Sequence, residues 1–161
     1  MRTPDTTSVA HGEEPLEAVL RPIHNTWMDE TRRFLDPAAE RGADFWLRWA
    51  AVRYLSDDFR DRYRRERALV DELRPLVRAD VAERLDREGD RLFHLRLELD
   101  RIGRRRGTAA EVAAGARDLL EQLGIWCAEI ELAADGLTRD SLPAEATDLL
   151  AHVEAVASIQ R

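Results

Sequence analysis

The chain has 161 residues, 44% of them hydrophobic and 35% charged, with a formal net charge of −7. That length builds one core and not two, and that composition excludes a chain disordered throughout. The acidic balance excludes a protein coated in positive charge for duplex DNA, while leaving local basic patches open.

All 25 basic residues are arginines, and Asn, Gln and Lys are scarce or missing beside abundant Ala, Asp and Gly, which points to a GC-rich genome. Without lysine there is no Schiff-base chemistry and no phosphate loop ending in Lys. Cys127 stands alone, so neither an intramolecular disulfide nor a cysteine-rich zinc site can form. Met1 to Glu14 lacks the apolar core of a secretion signal. The longest apolar window, Phe45 to Leu55, is eleven residues long and carries Arg48 and Arg53. A bilayer needs about 20 apolar residues, so the expected location is the cytoplasm, without a membrane.

In chain order, residues 1–13 are small and polar and predict a disordered tail, and residues 14–161 predict one helical domain. Leu16, Leu20, Ile23, Trp27 and Phe34 share one face of a first helix, with Pro22 expected to kink it or to delay its start. Asp36-Pro37 predicts a stop and restart, followed by a second helix to about Leu55. Ser56-Asp57-Asp58 predicts the cap of a third helix with Phe59, Tyr63, Val70, Leu73 and Val77 inward, ending near Pro75. Asp80 with Glu83 reads as a capping box opening a fourth helix, whose rows are Val81, Glu88, Leu95, Ile102 and Leu85, Leu92, Leu99. Phe93 to Leu99 alternates as a strand would, but it lacks Val, Ile and Thr and lies between strong helix formers.

Gly107 ends that helix, and Thr108 with Glu111 caps a fifth. Its stripe is Val112, Ala116, Leu119, Leu123, Trp126, Ile130, Ala133 and Leu137, closed by Gly136. Ser141-Leu142-Pro143 opens a last helix with Leu149, Val153 and Val156 inward. The expected fold is all-α, a single-domain antiparallel bundle of five or six helices.

The catalytic inventory is thin, and no catalytic residue, metal ligand or cofactor is assigned. His24, His94 and His152 fall on separate helices with no ligand spacing, so a metal- or haem-dependent enzyme would have to assemble its site from distant residues. Glu30, Glu66 and Glu88 sit at or beside stripe positions, where arginine is the natural partner for a buried carboxylate. Cys127 reads as a small buried hydrophobe.

Two features rise above this background. Phe45, Trp46, Trp49 and Tyr54 place four rings within ten residues, more than one core face easily covers, and so predict a partner-binding surface. Arginines cluster at Arg60, Arg62, Arg64, Arg65 and Arg67, and again at Arg101, Arg104, Arg105 and Arg106. If the third and fourth helices are antiparallel, the two clusters meet at one pole. Arg60 to Arg67 stand near a helix N-terminus, where cations are unfavourable, which makes an anionic contact worth expecting. The expected function is a helical protein–protein interaction module, as adaptor, assembly factor or regulatory subunit, with a protein partner or as a homodimer. The alternative is a phosphate- or single-stranded nucleic-acid-binding accessory protein, with Arg60, Arg62, Arg64, Arg65 and Arg104 to Arg106 on phosphates and Tyr63 stacking.

Overall fold

The computed structural model describes residues 13–41 and 45–142, with side chains given except at 37–41 and 45–48. These residues are helical: α1 (Leu16–Arg41), α2 (Phe45–Ser56), α3 (Asp58–Leu73), α4 (Ala79–Arg104) and α5 (Ala109–Ala133), with 3-10 turns at Arg74–Leu76 and Arg139–Ser141. The all-α class is as the periodicity predicts. The tail before Glu13, the last expected helix with Leu149, His152, Val153 and Val156, and the side chains of Phe45 and Trp46 lie outside the description.

Two expected boundaries move. α1 runs through both Pro22 and Pro37 to Arg41, where a break at Asp36-Pro37 was the expectation. A proline inside a helix costs about 3 kcal/mol, and packing on the inner face outweighs it. Leu16, Leu20, Ile23, Trp27 and Leu35 are all buried, and Phe34 stacks on Tyr54 with ring centroids 4.4 Å apart. The Thr26 hydroxyl donates to the Pro22 carbonyl at 2.9 Å. The second shift is at Asp57, whose side chain caps nothing. Asp57 N–H donates to the Arg53 carbonyl and Asp61 N–H to the Asp57 carbonyl, both at 3.0 Å. The backbone therefore bends without reversing, and α2 and α3 make one bent column.

Neighbouring columns are antiparallel, as paired contacts show. His24 and Trp27 of α1 meet Glu66 and Phe59 of α3. The Tyr63 hydroxyl of α3 donates to the Gly89 carbonyl of α4, and the Arg96 guanidinium of α4 to the Leu55 carbonyl. Trp126 Nε1 of α5 donates to the Leu85 carbonyl of α4. The Leu16 N–H donates to the Leu137 carbonyl at 3.0 Å, closing α1 against the end of α5. Pro75 lies in the 3-10 turn that reverses the chain between α3 and α4.

The core follows the predicted stripes. Trp27, Phe59, Tyr63 and Trp126 form its aromatic centre, with Trp126 5.2 Å from Tyr63 and 6.4 Å from Trp27. Gly89 makes room for it, since a Cβ there would stand 3.0 Å from the Trp126 ring.

The caps divide. Thr108 and Glu111 form the expected capping box. Asp80 and Glu83 do not cap α4 at its Arg78 N-cap, because the Asp80 carboxylate receives the Arg78 guanidinium at 3.1 and 3.0 Å instead. At the end of α4 the left-handed residue is Arg106, φ 56°, and Gly107 follows it with its N–H on the Ile102 carbonyl at 2.9 Å. A Cβ at Gly107 would lie 2.6 Å from the Ile102 side chain, so glycine is needed for space there.

Candidate partner-binding groove

Two polar assemblies stand out, one sealed and one open. The sealed one centres on His24, fully buried on α1. Its imidazole donates from Nδ1 to Glu131 Oε2 of α5 at 2.9 Å and from Nε2 to Glu66 Oε1 of α3. Burial by itself favours the neutral ring, but the Glu66 and Glu131 carboxylates prevail and push the His24 pKa up to about 9. Burial works against the Glu131 charge too, yet its bonds with His24 and Arg21 hold that carboxyl below its ordinary range. Arg21 Nε reaches Glu131 at 3.4 Å.

Arg62 also points inward, to the Ile23 carbonyl at 3.4 Å, to Glu30 at 3.8 Å and over the Trp27 ring at 5.9 Å. Burial raises the Glu30 carboxyl, with Arg62 opposing. Burial pushes the Cys127 thiol well up, which disfavours the reactive thiolate. Among the described residues no group of three or more His, Cys, Asp or Glu side chains is placed to hold a metal ion. His94 is exposed on α4. His24 itself is buried and both its ring nitrogens meet carboxylates, the arrangement of a buried, paired cation.

The open assembly lies between the α2–α3 column and α4. At its upper end a cavity of about 500 Å³ is lined by Trp49, Val52 and Arg53 of α2, Ser56 and Asp57 at the bend, and Gly103, Arg104 and Arg106 from the end of α4. Gly103 is a condition of this close crossing, because a Cβ would sit 2.4 Å from Val52 Cγ2. Trp49 is 48% exposed, and the Arg53 guanidinium lies over its ring at 5.3 Å. Arg104 is held by Asp100 at 3.2 Å and by the Ser56 hydroxyl at 3.0 Å, which aims it across the groove.

Lower down, α3 presents Arg60 and Arg64, both exposed and without a carboxylate within salt-bridge distance among the described residues. Burial lowers the pKa of Arg96 on α4, and the neighbouring charges of Arg60 and Arg64 lower it further. Beside them α4 exposes Phe93 (36%) and Leu97 (38%), with Phe93 5.8 Å from Tyr63 and under Arg96 at 5.4 Å.

The expected site residues therefore divide. Trp49, Arg104 and Arg106 line one cavity, and Arg60 and Arg64 are exposed on α3 near Arg96. Arg65 is half-buried beside Asp61 at 3.9 Å, and Arg105 pairs with Glu111. Arg62 belongs to the core, where Glu30 and the Ile23 carbonyl satisfy it, and is not on the anion-facing surface expected of it. Tyr54 is likewise buried rather than offered to a partner: its hydroxyl lies 2.8 Å from that of Thr31, and burial raises its pKa. Tyr63 is packed between Trp126 and Phe93 and has no free face for stacking.

Sequence reasoning missed His24, Arg96, Phe93 and Leu97. The missed signal was the alternation at residues 93–99: within a helix, apolar residues at every second position cover both faces, so some must face out. No family model matches the chain, and no curated protein or solved structure is significantly similar to it.

A larger concavity, about 940 Å³, follows the outer face of α1. Its rim carries Arg21 and Arg33 against Asp29, Glu30 and Asp58, so charges of both signs line it, and no half-exposed indole does.

Proposed function

We propose that this is a helical protein–protein interaction module, a cytoplasmic adaptor, assembly factor or regulatory subunit built as an antiparallel bundle of five or six helices. It acts as a homodimer or in a stable complex with another chain. Phe45, Trp46 and Trp49 serve as apolar anchors, and the arginines around the α4 end set orientation. The observation that carries this reading is the cavity in which Trp49 stands beside Arg53, Arg104 and Arg106. Trp and Arg are the side chains richest at the energetic centres of interfaces, and a half-exposed indole in a concave setting is the form such anchors take. Sedimentation equilibrium of the full chain tests it. A dimer is expected, with Trp49→Ala weakening association about tenfold or more while the far-ultraviolet dichroism stays unchanged. A monomer at high micromolar concentration removes the homodimer and leaves only a different chain as partner.

One observation favours a second reading. Arg60 and Arg64 are exposed without carboxylate partners among the described residues, as groups that meet phosphates are. Under that reading phosphate, polyphosphate or single-stranded nucleic acid raises thermal stability at low salt, less so as salt rises. Replacing Arg104, Arg105 and Arg106 by Gln abolishes the response. A melting temperature indifferent to all these anions ends the phosphate reading.

A further inference from the structure

We infer that the occupant of the groove is an acidic amphipathic helix of a partner protein, laid along α4 from Phe93 to the Trp49 cavity. The inference rests on the interaction reading above and gives the partner its chemistry. Phe93 and Leu97 are one helical turn apart on α4, each more than a third exposed. Such a pair meets apolar side chains repeating every three or four residues, the spacing a helix presents in a groove. Arg60 and Arg64 are spaced the same way along α3, so they flank that strip with two guanidinium groups one turn apart.

The distance suits a helix too. Residues 93 to 106 rise about 20 Å at 1.5 Å per residue, close to four turns of a partner helix. Trp49 then receives one further apolar side chain at the end of the track, where Arg104 and Arg106 face the partner's terminal charges.

The pattern of charge selects protein over nucleic acid. A phosphate backbone wants continuous positive potential, but this groove interleaves Asp57, Asp86, Asp90 and Asp100 with its arginines. Those carboxylates are occupied: Asp57 faces Arg53 at 3.9 Å, Asp86 and Asp90 face Arg67 at 3.5 and 3.4 Å, and Asp100 holds Arg104. What is left for a ligand is a few separate cations beside an apolar strip. Separate carboxylates on one flank of an amphipathic helix complement that; a repeating phosphodiester does not. The net charge of −7 adds a long-range penalty for nucleic acid that an individual docked helix feels far less.

The test is fluorescence anisotropy of a labelled 18-residue synthetic helix, leucines on one stripe and glutamates flanking it, added to the full-length chain. Binding is expected, weakening with salt. Arg60→Glu with Arg64→Glu should weaken it at least tenfold, and Leu97→Ser by a similar factor, with unchanged thermal melts showing that the fold persists. A peptide with lysines in place of the glutamates should ignore the native chain and bind the Arg60→Glu, Arg64→Glu variant. That charge-swapped rescue is something a merely structural role for the arginines would not produce. Equal binding of a scrambled peptide of the same composition overturns the inference, as does displacement of the peptide by a 20-residue oligothymidylate. If Trp49→Ala abolishes binding while the Arg60, Arg64 and Leu97 variants retain it, the interaction reading stands and the acidic-helix occupant falls. Absence of binding at tens of micromolar overturns the occupant, and the self-association of the native chain then judges the wider reading separately.

Discussion

The His24 centre and the α3–α4 groove are both built from charged side chains next to aromatic rings, yet they treat charge in opposite ways. Around His24 one cation meets two carboxylates, a third contact ties Glu131 to Arg21, and the cluster is enclosed by α1, α3 and α5. Along the groove, cations accumulate beside exposed Phe93, Leu97 and Trp49, and Arg60 and Arg64 lack carboxylates among the described residues. The difference follows from dielectric. Inside the bundle an unpaired charge is unfavourable, so His24 is matched by two carboxylates and Arg62 by Glu30, while Arg96 is held by the Leu55 carbonyl. At the surface water satisfies a guanidinium at little cost, so an excess of one sign can persist and be used for recognition. The interior charges therefore bear on stability, and under the proposed function the exposed ones bear on association.

Four measurements test that contrast. The largest is expected for His24→Ala, which leaves Glu66 and Glu131 facing each other across a cavity. A loss of about 3–5 kcal/mol in chemical denaturation is expected, as for any buried pair deprived of one partner. A loss under about 1 kcal/mol would mean that the centre is hydrated and not sealed.

The pH dependence comes next. His24 titrates near its ordinary 6.5 when unfolded and near 9 when folded, so its stabilising contribution is complete below pH 6.5 and disappears as pH rises through 9. The shift corresponds to a contribution on the order of 3 kcal/mol. Glu131 has the opposite sign: its folded pKa is depressed, so its contribution is present above its ordinary value of 4.5 and is lost on acidification. Urea midpoints measured from pH 4 to 10 should therefore peak between about 4.5 and 6.5 and decline on the alkaline side. A profile flat from pH 6 to 9 would show that the ring is neutral in the fold.

A smaller effect of reversed direction is expected at the rim of the groove. Arg106 holds the left-handed position that closes α4, where a side chain is strained. Arg106→Gly should raise stability by about 1 kcal/mol. If it lowers stability instead, the arginine side chain does more for the fold than relief of strain can repay. Smallest of all, Arg60→Gln with Arg64→Gln should move stability by under about 0.5 kcal/mol, because neither guanidinium has a carboxylate to lose among the described residues. A shift of more than about 1 kcal/mol would place those arginines with His24, among the structural charges.

The residues themselves determined the helical class and the inward stripes of α1, α3 and α5, because 3.6-residue periodicity is local and survives whatever the helix packs against. They also determined the cap at Thr108 and Glu111, whose two partners lie three residues apart. They pointed to Glu30, Glu66 and Glu88 as carboxylates needing partners, and each has one: Arg62 for Glu30, His24 for Glu66, and Gln122 with Arg87 for Glu88. Tertiary structure alone decided the rest. Pro37 failed to end α1 because packing of Phe34 and Leu35 outweighed a local preference. Arg62 and Arg64, two residues apart, went to opposite environments because the helix turns about 200° between them. His24 met Glu66 and Glu131 across 42 and 107 residues of chain, and Trp49 met Arg104 only because α2 continues into α3 while α4 returns beside them. Contacts so distant along the chain leave no spacing to read; they exist only once the helices have chosen their neighbours.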